Sequence, residues 1–289
     1  MLEPVYMLAI DHRWQWEEWC DTNGVARARI PEIKGLAADA FLAARERSEA
    51  IQRSGALLVD LTYGRDAFET GRRAGAVVGT PAERAGAFPL EWTAAFDAAL
   101  PGNFVKVLVR HRSDVAAVIV DAQRKQLLEL QRWCIDHDKP LVLEVLISPV
   151  AGEEHGFETD GRPRLLAAYI RDAYSLDIVP AYWKIEGMPD RRSFALVDDA
   201  IREVDGPRQL ILGKGAGMDQ VRGWFEAAAG ASTAAGFAIG RTVYFAAASE
   251  WLLGRLERRA AVDRIAANYQ AIIDLWGKSY QLPAASYQL

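Results

Sequence analysis

Eight short apolar segments recur along this chain, and stretches with charged or helically spaced residues lie between them. Runs of four to eight apolar residues bounded by turn residues are typical of buried parallel strands. The segments are 5–10, 56–60, 75–79, 104–109, 141–147, 182–186, 209–212 and 235–239. Eight strands alternating with helices predict an α/β fold, a (β/α)8 TIM barrel. A doubly wound open sheet is the competing architecture, but it would have fewer strands and a glycine-rich loop after the first strand.

Length and composition are consistent with one barrel. The 289 residues and 51% apolar content would fit one large barrel or two smaller domains, yet no change in composition marks a linker. We therefore expect a single domain over 1–289, with a loose tail at 281–289. No apolar run is long enough to span a membrane, and the net charge of −5 argues against a nucleic-acid binder.

The expected location is the cytoplasm. The N-terminus has no basic region followed by an apolar stretch and a cleavage site, as a secretory signal would have. The two cysteines, Cys20 and Cys134, are too few and too far apart for a disulfide scaffold or a cysteine-based zinc site. His12 and His111 do not have the spacing of a metal pair, so we expect neither metal nor cofactor.

A lysine lies inside the sixth apolar segment, Tyr182-Trp183-Lys184-Ile185-Glu186. Because side chains alternate along a strand, Lys184 and Glu186 should share one face. A desolvated lysine can lose its proton near neutral pH and attack a carbonyl. We therefore predict that Lys184 forms a Schiff base with a ketone substrate, although a lysine in a strand can also simply pair with a carboxylate.

Three further charged residues lie within or directly after apolar strands: Asp11 on the first, Lys106 on the fourth and Glu144 on the fifth. The active site of such a barrel lies at the carboxyl ends of its strands, where these side chains should meet Lys184. A cation such as Lys106 would lower the pKa of a neighbouring lysine, and Glu144 could shuttle protons. Asp11 could orient the substrate or hold a lysine. The alternative is that Lys106 and Glu144 form a buried ion pair without a catalytic task.

Glycines and cations follow the seventh and eighth strands, where backbone N–H groups commonly bind phosphate in these barrels. The predicted substrate and phosphate contacts are Arg13, Gly213, Lys214, Gly215, Gly240 and Arg241. With a Schiff-base lysine, this set predicts a class I aldolase for a small phosphorylated sugar. The loop 213–217 alone would also be consistent with an ordinary turn.

Several of these motifs follow one another in a recognisable order. They are Leu8-Ala9-Ile10-Asp11-His12-Arg13, Val105-Lys106-Val107-Leu108-Val109, Leu143-Glu144-Val145, Trp183-Lys184-Ile185-Glu186, Gly236-Phe237-Ala238-Ile239-Gly240-Arg241-Thr242 and Glu250-Trp251-Leu252. Over almost its whole length the chain resembles the DUF2090 family, found as the C-terminal part of certain bacterial 5-dehydro-2-deoxygluconokinase fusions. It is more distantly similar to the tagatose-bisphosphate and sulfofructose-phosphate aldolases.

The resemblance implies a metal-free class I aldolase barrel. It assigns the Schiff base to Lys184, proton transfer to Glu144, the lining of the site to Lys106 and Asp11, and phosphate binding to Gly240 and Arg241. The implied reaction is cleavage of 2-deoxy-5-keto-D-gluconate 6-phosphate to dihydroxyacetone phosphate and malonate semialdehyde in myo-inositol breakdown. Such barrels often self-associate, so a homo-oligomer is expected. The alternatives are an aldolase for another ketose phosphate, a metal-dependent aldolase, and a non-catalytic barrel that binds sugar phosphates.

Overall fold

A computed structural model describes residues 4–281 and confirms the predicted barrel. Eight parallel strands close in chain order, with β8 pairing back onto β1. The strands are β1 (Val5–Ala9), β2 (Gly55–Leu58), β3 (Val77–Pro81), β4 (Phe104–His111), β5 (Leu141–Ile147), β6 (Tyr182–Glu186), β7 (Arg208–Leu212) and β8 (Ala234–Ile239). All eight predicted strands are therefore present, and the predicted loose tail at 281–289 falls almost wholly outside the described residues.

Helices surround the barrel. They are α1 (Trp14–Asn23), α2 (Ile30–Arg47), α3 (Glu49–Ser54), α4 (Arg65–Arg73), α5 (Phe96–Ala99), α6 (Ala117–Asp136), α7 (Arg162–Ser175), α8 (Arg191–Ile201), α9 (Met218–Ala228), α10 (Arg241–Leu252) and α11 (Arg258–Gln281). Within residues 4–281, no helix combines the length and apolarity that crossing a bilayer requires.

Some predicted boundaries are wrong for identifiable reasons. The sequence predicts a helix at 245–257, but the helix begins four residues earlier, at Arg241, directly after Gly240. It ends before Gly254, whose φ of 69° belongs to the left-handed region that glycine tolerates. The helical spacing of apolar residues also predicts one helix over 36–53, but the structure has two, α2 and α3, because Ser48 between them is extended.

The strand faces divide the core into two parts. Side chains on the outward face pack against the helices, and a smaller apolar cluster fills the barrel interior. Its buried members are Met7, Ala9, Ala56, Leu58, Phe104, Val142, Leu210 and Ala238. Lys106 and Glu144 each stand two residues after a member of this cluster, and Lys184 stands two residues after Tyr182, which packs against it. Since alternate residues share a face, these three charges point into the barrel above an apolar floor.

Asp198 of α8 fastens the loop that precedes β8. Its side chain is buried, and Oδ1 accepts hydrogen bonds from the backbone N and Oγ1 of Thr233, at 2.8 and 2.5 Å. Its Oδ2 accepts from the backbone N and Oγ of Ser232, both at 3.0 Å. A single carboxylate thus satisfies four donors that the loop would otherwise leave without partners.

We expect Asp198→Ala to lower the free energy of unfolding by about 3 kcal/mol, because several donors lose their acceptor in a buried place. Asp199→Ala is the matched control, since Asp199 is exposed on the same helix, and it should change the value by less than ~0.5 kcal/mol. Urea unfolding of both variants measures the difference. Equal effects would show that the buried carboxylate has no special role.

Candidate active site

A cavity of about 210 Å³ opens at the carboxyl ends of the strands. Its lining includes every residue that the sequence predicted for the site: Asp11, Arg13, Lys106, Glu144, Lys184, Gly213, Lys214, Gly215, Gly240 and Arg241. The structure therefore brings together residues that are separated by up to 230 positions in the chain. Their chemical roles stay predictions.

Lys184 lies at the bottom of this cavity with only 5% of its surface exposed. In the register between β5 and β6 it stands directly beside Glu144, and its Nζ donates to Glu144 Oε2 at 2.9 Å. Glu144 is also buried, with 6% exposed. A lysine and a carboxylate thus form a close pair at a place that a small molecule in the cavity can reach.

Lys106 of β4 is the centre of the buried charges. Its Nζ lies 2.9 Å from Glu144 Oε2, 2.9 Å from Glu83 Oε1 and 3.2 Å from Asp11 Oδ2. Burial lowers the pKa of Lys106, but the attraction of the three carboxylates outweighs burial and raises that pKa well above its ordinary range. Lys106 is therefore a permanent cation. Since its Nζ and that of Lys184 lie equally far from one oxygen of Glu144, the two nitrogens are no farther apart than twice that distance.

Asp11 and Glu144 are ionised at neutral pH. Burial raises the pKa of each carboxyl, but the positive charges of Lys106 and Lys184 outweigh burial and lower both pKa values below their ordinary range. Asp11 thus holds a lysine, which is one of the two roles predicted for it. Glu144 rests as a carboxylate that can accept a proton.

Glu83 is a site residue that sequence reasoning missed. It follows β3, in the stretch 80–101, which the sequence predicts to be irregular, and it is 6% exposed. Besides Lys106, its carboxylate accepts from the backbone N of Leu108 at 3.2 Å. Arg13 donates to the Glu83 carbonyl oxygen at 2.9 Å and lies 3.8 Å from its Oε1. One feature of the sequence could have identified Glu83 as a site residue. It lies two positions after the end of β3, as Asp11 lies two positions after the end of β1.

The predicted phosphate residues form one wall of the cavity. Arg241 Nη2 donates to the carbonyl oxygen of Lys214 at 3.0 Å, which joins the loop after β7 to the start of α10. Arg241 Nε and Thr242 Oγ1 are buried and have no hydrogen-bond partner in the described part of the chain. A Cβ on Gly240 would lie 1.9 Å from the carbonyl oxygen of Ala9, so only glycine allows the chain to pass here.

Glu186 does not line this cavity, although it lies two residues after Lys184. Its carboxylate is 3.1 Å from Arg162 Nε of α7 and is also in contact with Lys214 Nζ. The ammonium of Lys214, predicted to bind phosphate, is thus engaged by Glu186 at a neighbouring groove. The guanidinium of Arg13 is likewise held by Glu83.

His12 is a neutral imidazole. Burial lowers its pKa to about 3, so the ring stays uncharged at any working pH. Its Nδ1 lies 3.3 Å from the hydroxyl of Tyr244, and that hydroxyl accepts from Trp16 Nε1 at 3.1 Å. The hydrogen bonds that join His12, Tyr244 and Trp16 hold α1 against α10 beside the cavity.

The described residues offer no group of side chains that could form a metal centre. Across residues 4–281, no three His, Cys, Asp or Glu side chains are grouped so that they could hold a metal ion. The carboxylates of the cavity are bound to ammonium and guanidinium groups instead.

The barrel is similar in fold to several solved structures of fructose-bisphosphate aldolases. A Schiff-base-forming fructose-1,6-bisphosphate aldolase aligns over 93% of this chain and 94% of its own, with 19% identity and a TM-score of 0.59. An archaeal fructose-1,6-bisphosphate aldolase, with its catalytic lysine bound to a carbinolamine intermediate, aligns over 94% of both chains, with 18% identity and a TM-score of 0.60. Fructose-bisphosphate aldolase of Plasmodium falciparum aligns over 94% of this chain and 90% of its own, with 11% identity and a TM-score of 0.62. At these identities the likeness establishes the fold.

The chain belongs to the DUF2090 family, described as an uncharacterized protein conserved in bacteria, whose profile matches residues 1–280. No curated protein matches the chain significantly.

Lys106→Met should lower the free energy of unfolding by roughly 3–5 kcal/mol at pH 8, because three buried carboxylates lose their common cation. Without that cation the folded-state pKa values of Asp11 and Glu144 rise, because each is lowered by the charge of Lys106, so the folded variant takes up protons as pH falls. The deficit relative to the unsubstituted protein should therefore shrink at pH 5. Denaturant unfolding at both pH values checks this, with the exposed Lys125→Met as the matched control. A deficit that does not change with pH would contradict the assignment.

Proposed function

We propose that this protein is a class I aldolase whose Lys184 forms a Schiff base with the ketone of a phosphorylated keto-sugar acid. The observation that carries the proposal is the position of the Lys184 amine. It is buried at the bottom of an open cavity, 2.9 Å from an ionised carboxylate that a second, permanent cation holds in place. The aldolase folds that the chain resembles add support.

Glu144 is the base for the first step, because its oxygen already contacts the lysine nitrogen. Lys184 transfers a proton to Glu144, and the free amine attacks the substrate carbonyl to form a carbinolamine. Glu144 then returns the proton to the carbinolamine hydroxyl, which leaves as water and gives an iminium ion. One carboxylate thus serves both transfers without moving.

The iminium ion then draws electrons from the bond between its α and β carbons. That bond breaks as the β-hydroxyl gives its proton to a carboxylate, and the electron pair moves through the α carbon to the nitrogen. The products at this stage are a free aldehyde and an enamine on Lys184. Protonation of the enamine carbon and addition of water release the ketone product and restore the amine. Asp11, Glu83 and Glu144 are carboxylates that line the cavity, and Glu144 is in contact with Lys184.

The start of α10 supplies the phosphate site. Its first backbone N–H groups have no partner within the helix, and the helix dipole favours an anion there. The buried Arg241 Nε and Thr242 Oγ1, which lack partners among residues 4–281, would gain them from phosphate oxygens. Glycines at 213, 215 and 240 allow the backbone to approach closely.

The substrate that fits this assignment best is 2-deoxy-5-keto-D-gluconate 6-phosphate, cleaved to dihydroxyacetone phosphate and malonate semialdehyde in myo-inositol breakdown. The family resemblance supports this substrate. A tagatose-bisphosphate or sulfofructose-phosphate type of substrate is the alternative in the same class, and a non-catalytic sugar-phosphate-binding barrel is the alternative outside it. The cytoplasmic location and the homo-oligomeric state stay predictions.

Borohydride reduction in the presence of dihydroxyacetone phosphate should attach the reduced adduct to Lys184, as peptide mass spectrometry would detect. Lys184→Ala should lose the label and reduce turnover by on the order of 10³-fold or more, with its fold intact by circular dichroism. Lys125→Ala removes an exposed lysine and should keep both label and activity. Binding of dihydroxyacetone phosphate without a label, or labelling at another lysine, would contradict the proposal.

Treatment with a strong chelator should leave the cleavage rate unchanged, because the iminium ion is the electron sink in this mechanism. A metal-dependent aldolase would lose activity and regain it with added divalent cation. Steady-state assays before and after chelation distinguish the two classes.

A further inference from the structure

The charges that line the cavity are divided between its bottom and its mouth. The acidic lining residues are Asp11, Glu83 and Glu144, and all three contact Lys106 at the bottom. Most lining cations are neutralised as well. Lys184 pairs with Glu144, Arg13 with Glu83, Arg84 with Glu91, and Lys214 with Glu186.

Two arginines of the lining are exceptions. Arg241 donates to a carbonyl oxygen but pairs with no carboxylate in the described chain. The side chain of Arg110 has neither a hydrogen bond nor an ion pair with any residue from 4 to 281. The cavity therefore presents two guanidinium groups whose charge no carboxylate of the described residues balances.

Arg110 faces the same space as the reactive lysine. It follows Lys106 and Leu108 on the inward face of β4, and Leu108 is the register partner of Glu144. Two residues of strand place the Arg110 backbone roughly 7 Å above that level, toward the mouth.

The two arginines lie on opposite sides of the barrel. The strands close in chain order, so β4 stands across from β8, which Arg241 follows. Lys184 is on β6, two strands from each. A ligand whose carbonyl carbon is at Lys184 therefore meets one unbalanced arginine on either side.

We propose that Arg110 binds a carboxylate at the end of the aldehyde-forming half of the substrate, opposite the phosphate held at Arg241. This inference rests on the proposed aldolase function and adds to it the residue that would select a substrate with a carboxylate at the end opposite the phosphate. In such a substrate the phosphate and the carboxylate lie on opposite sides of the Schiff-base carbon, as the two arginines do.

A carboxylate fits Arg110 better than a second phosphate does. A single guanidinium offers a planar fork that matches two oxygens of a carboxylate or of a phosphate, so the charge of the ligand decides between them. A phosphate dianion would call for further cations, but the arginines that line the cavity from the β1 and β3 loops, Arg13 and Arg84, are engaged by Glu83 and Glu91. The single positive charge of Arg110 is neutralised by one carboxylate, which is a monoanion.

The condensation direction isolates this contact, because the aldehyde half then enters as a separate substrate. Dihydroxyacetone phosphate would be condensed with malonate semialdehyde, with its neutral amide, or with glyceraldehyde 3-phosphate. The unsubstituted protein should prefer malonate semialdehyde. Arg110→Gln should lower kcat/KM for malonate semialdehyde roughly 30-fold, mainly by raising KM. It should leave kcat/KM for the neutral amide nearly unchanged.

Two variants serve as controls. Arg110→Lys keeps the charge but loses the planar fork. Its kcat/KM for malonate semialdehyde should therefore lie between the values of the unsubstituted protein and of Arg110→Gln. Arg112→Gln removes an exposed arginine two residues further along, which Asp114 already holds, and should have no effect on any acceptor.

Borohydride labelling with dihydroxyacetone phosphate separates the possible failures. If Lys184 is not labelled in the unsubstituted protein, the aldolase proposal itself fails. If Lys184 is labelled but Arg110→Gln keeps the acceptor preference, only the role of Arg110 is overturned. If glyceraldehyde 3-phosphate is preferred and suffers the largest loss in Arg110→Gln, the distal group is a phosphate and the carboxylate assignment is wrong.

Discussion

One buried ammonium group, that of Lys106, organises the interior of this barrel. It contacts carboxylates from the ends of β1 and β5 and from the loop after β3, and one of these, Glu144, in turn holds Lys184 of β6. Buried carboxylates without a cation would cost several kcal/mol each, so the pairing is a condition for placing any of them here. The same contacts fix the Lys184 amine and the Glu144 carboxylate in one geometry. Stability of the interior and preorganisation of the site thus have a common origin.

The barrel and most of its central charges could be predicted from sequence for one physical reason. Each strand is buried on both faces and therefore appears as its own apolar run, which makes a charge within it conspicuous. Lys106, Glu144 and Lys184 interrupt such runs, and charges that face the inside of a closed barrel are close enough to pair with one another. Their convergence follows from the two-residue strand period and the number of strands.

Partners supplied by loops could not be predicted in the same way. Glu83 enters the cavity because of the path taken after β3, and no apolar run surrounds it to mark its position. Lys214 and Arg13 are at the mouth as expected, but their partners, Glu186 and Glu83, depend on loop conformations that periodicity does not encode. The early start of α10 at Arg241 has a similar cause, since it depends on how closely Gly240 passes the backbone of β1.

The division of charge within the cavity gives its two levels different tasks. At the bottom every carboxylate that lines the cavity already has a cation, so Lys184, Lys106 and their carboxylates form a group of charges whose fields largely cancel at a distance. At the mouth Arg110 and Arg241 have no opposing charge from the described protein and attract anions from solvent. For the aldolase that we propose, chemistry at the Lys184 amine and selection at the mouth would therefore be physically separable. Replacing an arginine at the mouth would alter which ketose derivative enters without disturbing the ion network around Lys184.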